Sequence, residues 1–292
     1  MKKNKIKTKF TPFTLTCLIV LCLITIGYIY LIIWGVINSF KDGLEFYNNI
    51  VGLPKKIQFS NYVTILQHFY YKNPVTQQIV TIDMMLFNSI LYSLGCTFAS
   101  VLVCSITAYA TSMFNYKFSK VIYAIVLFVI TIPIIGSAAS EMLMVRKLNL
   151  YDTFIGNFIL KANFASIYYM VFHAMFKSIP KDYEEAAKID GAGNLMIMLK
   201  IYYPLIMNAI LTISLIYFIG YWNDFQTPYL YLPTSPTVSL GLFYFYNSTN
   251  IEISWTPLKL GACIIVFIPI FMVFLLTHKR LIGNVSIGGI KG

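Results

Sequence analysis

The chain has 292 residues, of which 58% are hydrophobic and only 11% charged, against roughly 25% charged in soluble domains. A water-soluble fold cannot hide that much apolar surface, so the composition excludes one and points to an all-α membrane protein. The net charge of +11 comes without a basic patch interleaved with stacking aromatics; nucleic acid is not the expected partner, and the excess reads as a membrane-orientation signal.

Lys2, Lys3, Lys5, Lys7 and Lys9 precede the first apolar run, 12–39. That run is too long for a cleavable signal core and no small-x-small site follows, so an uncleaved first membrane helix is predicted. Five further runs reach the roughly 20 residues a span needs: 86–112, 119–143, 155–176, 205–232 and 259–277. The fourth is interrupted by Lys161, Asn163 and His173. Six transmembrane helices are therefore expected, with long outer loops at about 40–86 and 233–258.

With the N-terminus inside, the inner segments collect the N-terminal lysines, Lys117, Lys120, Lys177, Lys181, Lys188, Lys200, Lys279, Arg280 and Lys291. Both termini and the segment 180–204 then face the cytoplasm. Pro133, Pro228 and Pro269 are expected to kink their helices, since neighbouring spans can satisfy the freed carbonyls. Cys17, Cys22, Cys96, Cys104 and Cys263 all lie in apolar runs with no C-x-x-C pair, and are expected to be small buried fillers.

Residues 180–204, PKDYEEAAKIDGAGNLMIMLKIYYP, are the hydrophilic exception in the second half. Pro180 suits the first turn of a helix. Asp182, Glu184 and Glu185 follow near the positive end of its dipole. Tyr183, Ala186, Ala187 and Asp190 recur at helical spacing and are expected to share a face that is aromatic at one end, small in the middle and acidic at the other. Gly191 is expected to end the helix, because it takes φ > 0 without steric cost. A second short helix from near Asn194 would run through Ile201 and Pro204 into the fifth span, making an elbow at the membrane surface. A helix lying flat on lipid would carry large apolar residues opposite Lys and Arg; this face suits docking to a soluble partner better.

Glu185-Ala186-Ala187, Gly191, Ile201 and Pro204 resemble the EAA loop of permease subunits of bacterial binding-protein-dependent ABC importers; Tyr203 stands where leucine is usual. Phe218 to Phe225, Asn88-Ser89, Ala108-Tyr109-Ala110, Ile132-Pro133 and the closing Gly288-Gly289-Ile290-Lys291-Gly292 are similar to the carbohydrate type, and to its second, shorter, maltose-permease-like subunit. The resemblance covers about residues 84 to 292. It implies the type I importer permease fold, six transmembrane helices with a cytoplasmic coupling helix, in the bacterial plasma membrane. It also implies a homologous permease partner, cytoplasmic ATP-binding subunits beneath the pair, and an extracellular or periplasmic sugar-binding protein. The corresponding division is 1–83 for the first span and outer loop, 84–280 for the permease core and 281–292 for a cytoplasmic tail.

The resemblance makes Tyr183, Glu184, Glu185, Ala186, Ala187, Asp190, Gly191, Ile201 and Pro204 the candidate ATPase-coupling residues. Asp224 is the one carboxylate deep in a strong apolar run, and such residues are functional by default. With Trp222 and Asn223 it forms a candidate substrate-pathway group, Trp stacking on a pyranose and the polar pair bonding hydroxyls. The same trio also reads as an interspan hydrogen bond or an outer-interface belt. No G-x-x-x-x-G-K-[ST] is present, so ATP hydrolysis is expected on another subunit. No metal-ligand cluster and no nucleophile–base pair stand out in the spans; a transport subunit without catalytic residues or cofactor is expected. An ion-gradient permease would need paired charges at mid-membrane, and a non-sugar substrate such as glycerol phosphate is compatible with the sequence.

Overall fold

Thr11 opens the first helix by accepting a hydrogen bond from the Thr14 amide, with Pro12 in the first turn where a missing N–H costs nothing. The computed structural model describes residues 11–114, 116–132 and 136–282. The lysines at 2–9, Pro133 and the glycine-rich end at 288–292 lie outside the described residues. In chain order the elements begin with α1 (Pro12–Ser39), α2 (Gly43–Asn48), α3 (Ser60–His68), β1 (Tyr70–Lys72), β2 (Ile79–Thr81), α4 (Ile82–Met113), α5 (Lys117–Thr131) and α6 (Ala138–Lys147). Next come α7 (Phe154–Lys161), α8 (Ile167–Ser178), α9 (Asp182–Ile189), α10 (Asn194–Ile197), a π-helical stretch at Met198–Tyr202 and α11 (Tyr203–Leu205). The last are α12 (Met207–Asn223), α13 (Gln226–Tyr231), α14 (Val238–Tyr246), a 3-10 turn at Ile251–Ile253 and α15 (Thr256–Ile282).

The chain divides into two compact units, one of residues 1–68 with 248–265, the other of 69–247 with 266–292. In the first, α1 is exposed along residues 12–33; an apolar helix with so little protein cover belongs in lipid or against another subunit. The turn after it is pinned by polar bonds. Fully buried Lys41 donates to the Asn49 carbonyl at 2.5 Å, and the Asn61 amide donates to the carbonyls of Ser39 and Lys41, each at 2.8 Å. Gly43 lies against the Trp255 ring, where any Cβ would stand 2.3 Å from a ring carbon.

The second unit is organised around α4, which packs on α7, α8 and α12. Its buried side carries Ser89, Ser93, Cys96, Ser100, Cys104 and Ala108 at helical spacing. Small residues let neighbouring helices approach closely in a membrane. Gly95 shows how closely: a Cβ there would sit 2.1 Å from the Phe158 ring. The lower core joins Cys104, Ala108 and Tyr109 of α4 to Tyr169, Phe172 and Phe176 of α8 and to Ile197, Tyr202 and Ile213. The strands pair antiparallel with Tyr71 opposite Val80.

Among the described residues, helices α1, α4 and α15 are long and apolar enough to cross a membrane as single pieces, and Asn194–Leu205 with Met207–Asn223 are so as a pair across a 78° bend. The expected third and fourth runs are each two helices. α5 stops at Thr131, with Ile132 extended as a residue before proline prefers. Its 15 residues cover about 22 Å, short of the hydrocarbon thickness of roughly 30 Å. The fourth run parts between α7 and α8, where the Asn163 side chain accepts from the Ala165 amide at 2.8 Å. The Asn163 bond holds the connecting backbone, between the C-cap Ala162 of α7 and the N-cap Ser166 of α8. Cysteine placement also differs from expectation: Cys96 and Cys104 are buried, whereas Cys17, Cys22 and Cys263 are exposed, because a small thiol on a helix side turned to lipid or to another subunit needs no cover from its own chain.

Candidate coupling segment and intramembrane polar cluster

Helix α9 begins at Asp182, two residues after its proline. Lys181 is the N-cap, already with helical dihedrals, and Pro180 stands just outside. The Lys181 carbonyl accepts from the amides of Glu184 and Glu185 at 2.9 and 3.0 Å. Three acids in the first turn and Lys188 in the last complement the helix dipole. At the other end Gly191 has φ +78°. Its amide donates to the Lys188 carbonyl at 3.0 Å, and the Ala192 amide to the Ala187 carbonyl at 2.9 Å. This is the paired bonding of a Schellman stop, which requires the left-handed conformation that glycine supplies most cheaply.

The expected shared face is divided between inside and outside. Ala187 is buried, packed into the core with Phe176, Ile197 and Tyr202. Glu184 is half-buried: Oε1 accepts from Lys188 Nζ at 2.6 Å, and Oε2 accepts from the Tyr202 hydroxyl at 3.1 Å. Tyr183, Glu185, Ala186 and Asp190 are exposed. Ile189 is 87% exposed beside them, a large apolar side chain that the sequence reading passed over. Its signal was visible: an isoleucine placed among charges where no core position was required.

Beyond Gly191 the chain turns into α10, the π-helical stretch and α11, then bends at Ile206 into α12. Pro204 follows the π-helical stretch and is exposed; Ile201 is half-buried against the lower core. A proline inside a helix clashes with the carbonyl four residues back, and the widened π turn accommodates it. The elbow therefore lies at the entry to the span, with Tyr202 buried on its inner side.

The trio at the end of α12 separates. Trp222 is buried and its Nε1 donates to the Val266 carbonyl at 3.3 Å. Asn223 is exposed and donates to the Ile219 carbonyl of its own helix at 2.9 Å. Asp224 turns inward. Its Oδ2 lies 3.4 Å from Lys161 Nζ and accepts from the Tyr92 hydroxyl at 3.1 Å, while Oδ1 accepts from the Thr227 amide at 3.0 Å and so starts α13. Lys161 also donates to the Thr227 hydroxyl at 2.8 Å, and its ammonium sits 5.6 Å from the Tyr221 ring centre. Tyr221 in turn meets Ser100 at 2.7 Å, and Ser100 donates to the Lys161 carbonyl at 2.7 Å. The cluster ties α4, α7, α12 and α13 together. It corresponds to the interspan hydrogen-bond alternative for Asp224, with Trp222 and Asn223 engaged elsewhere. Lys161 and Tyr92 are members that the sequence reading missed.

Residues 100–285 match the family described as binding-protein-dependent transport system inner membrane component. The chain belongs to that family. This permease is 27% identical to the galactooligosaccharides transport system permease GanQ of Bacillus subtilis, the match covering 94% of each chain. It is 25% identical to the diacetylchitobiose uptake system permease NgcG of Streptomyces coelicolor, over 88% of this chain and 82% of that one. Among solved structures it is similar to a chain of a bacterial ABC transporter involved in the import of the acidic polysaccharide alginate. The TM-score is 0.75 and the identity 24%, over 93% of this chain and 98% of that one. The permease accordingly has the type I ABC importer permease fold and is a multi-pass membrane component of a transport system.

Proposed function

We propose that this permease lines half of the pathway through which a sugar or oligosaccharide, handed over by an extracellular binding protein, is imported at the expense of ATP. A homologous permease supplies the other half, and ATP is hydrolysed on cytoplasmic subunits. Both termini and α9 face the cytoplasm. The substrate class is supported by relatives that are permeases for galactooligosaccharides and diacetylchitobiose, matched over 94% and 82% of their lengths. Residues 84–280 form the transport core and 281–292 a cytoplasmic tail.

The observation that carries the mechanical reading is the construction of α9. One side is anchored through Ala187 and the Glu184–Tyr202 bond, and the other presents Tyr183, Glu185, Ala186, Ile189 and Asp190 outward. A helix held rigidly from within and bare without is suited to enter a groove of the ATPase. Closure of the ATPase pair would push α9, and the push would reach α12 through Tyr202 and the elbow at Ile206. This is a rigid-body transition driven by ligand-dependent contacts. Gly191 and Pro204 set the angles, and Ile201 seats the lever on the core. Uptake of labelled oligosaccharide by cells or vesicles, with ATP depleted while the proton gradient is held, tests the reading: uptake should stop, and persistence of uptake would refute it.

A further inference from the structure

A basic cavity lies between the C-terminal end of α4 and the neighbouring ends of α5 and α8, and none of the residues that form the two sites described above lines it. Its volume is about 860 Å³, and Lys117, Lys120, Lys177 and His173 are among its lining residues, with hydroxyls of Ser112 and Tyr116. Among the described residues no Asp or Glu lines it, and none makes an ion pair with any of the three lysines. Three uncompensated ammonium groups around one cavity create a standing attraction for an anion.

The first turn of α5 sharpens this. It holds Lys117 and Lys120 and no acidic residue, although a helix N-terminus favours negative charge and is weakened by positive charge. An anion in the cavity would satisfy the lysines and the helix start together. Lys120 also borders a second depression, about 500 Å³, formed with Val121, Ala124, Ile125 and Phe128 along the outer side of α5. From Lys120 to Phe128 the helix rises about 12 Å, enough to seat the upper part of an acyl chain. A soluble anion has no use for that apolar strip.

We propose that the cavity holds the phosphate headgroup of an anionic phospholipid, with an acyl chain along Val121, Ala124, Ile125 and Phe128. Lys117, Lys120 and Lys177 supply the charge, and the Tyr116 hydroxyl adds a donor for the headgroup. Such a lipid would brace α5 against α4 and α8, which the shortness of α5 leaves dependent on its surroundings.

The test is native mass spectrometry of the complete importer purified in mild detergent and supplied with phosphatidylglycerol or, separately, phosphatidylcholine. Phosphatidylglycerol should be retained, and phosphatidylcholine should not. Each lysine near an anionic group is worth roughly a fivefold change in affinity, so K117Q/K120Q/K177Q together should weaken retention about a hundredfold. Replacing all three by Arg should keep it. Ala124→Phe fills the apolar strip without touching charge and should also weaken retention, which covers the case in which the triple Gln variant fails to assemble. Equal retention by wild type and Ala124→Phe, or by wild type and an assembled triple Gln variant, would overturn the proposal. So would displacement of the lipid by millimolar inorganic phosphate, which would make the cavity a soluble-anion site. The same spectra report the partner subunits, so loss of the assembly reading and loss of the lipid site are separately visible.

Discussion

The Tyr202 hydroxyl donates to Glu184 Oε2 across 3.1 Å, joining the surface helix α9 to the π-helical stretch that enters the bent span. Tyr202 is fully buried and stacks edge-on with Tyr109 of α4 at 5.3 Å between ring centres. One tyrosine therefore connects the outward helix, the elbow and the central helix of the core. Under the proposed coupling, a displacement of α9 would pass to α12 through packed rings rather than through a slack loop, since close-packed interiors transmit strain.

Removing that hydroxyl should loosen the connection without emptying the core. Tyr202→Phe keeps the ring and is expected to cost about 1 kcal/mol of stability. Uptake should fall several-fold while the amount of permease in the membrane stays near normal. Wild-type uptake by this variant, measured per assembled complex, would mean that the bond does not carry the motion.

Ala186 and Ala187 offer a sharper contrast, being adjacent and chemically identical. Ala187 is buried and Ala186 exposed. Ala187→Asp should reduce the amount of folded permease, because an unpaired carboxylate would enter the lower core. Ala186→Asp should leave the amount unchanged and abolish uptake. Membrane immunoblots beside uptake rates separate the two; identical behaviour would contradict the division of faces.

Gly191 is held in the left-handed region by the stop of α9. Gly191→Ala should cost about 1–2 kcal/mol from the Cβ clash and slow uptake. Gly191→Pro, which cannot adopt positive φ, should abolish it with protein still reaching the membrane. Thermal unfolding and uptake of the two variants check the ordering.

The Lys161–Asp224 pair should behave as a unit. Side-chain exposures of 26% and 18% leave it mostly desolvated, so breaking it from one side exposes the other charge to an apolar setting. Asp224→Asn or Lys161→Met alone is expected to destabilise by about 3 kcal/mol, and the double variant by less than the sum. A thermodynamic cycle in detergent measures this. Simple additivity would show that the two residues do not interact.

How much of this could be read beforehand depended on whether a feature was local. Gly191 was legible because a helix stop after IleAsp needs positive φ and glycine is the residue that takes it freely. Asp224 was legible because a carboxylate in an apolar run is rare. Its partner Lys161 was not, since the two are brought together by the packing of α4, α7 and α12, and nothing near either residue in sequence announces the other. The same holds for Tyr202 and Glu184. The alternation of Ala186 and Ala187 between surface and core was equally hidden, because two adjacent alanines give no hydrophobic contrast. Run lengths located the apolar helices but overlooked that Asp224 would end α12 and bond into the first turn of α13.

The most direct test of the coupling account is recovery of the ATPase with a tagged permease, wild type against Glu185→Lys, quantified by mass spectrometry in gentle detergent. Glu185 is exposed on α9, so its reversal should leave folding and the sister permease in place. The account predicts loss of the ATPase from the variant while the sister permease is still recovered. Wild-type recovery of the ATPase together with normal oligosaccharide uptake would contradict it.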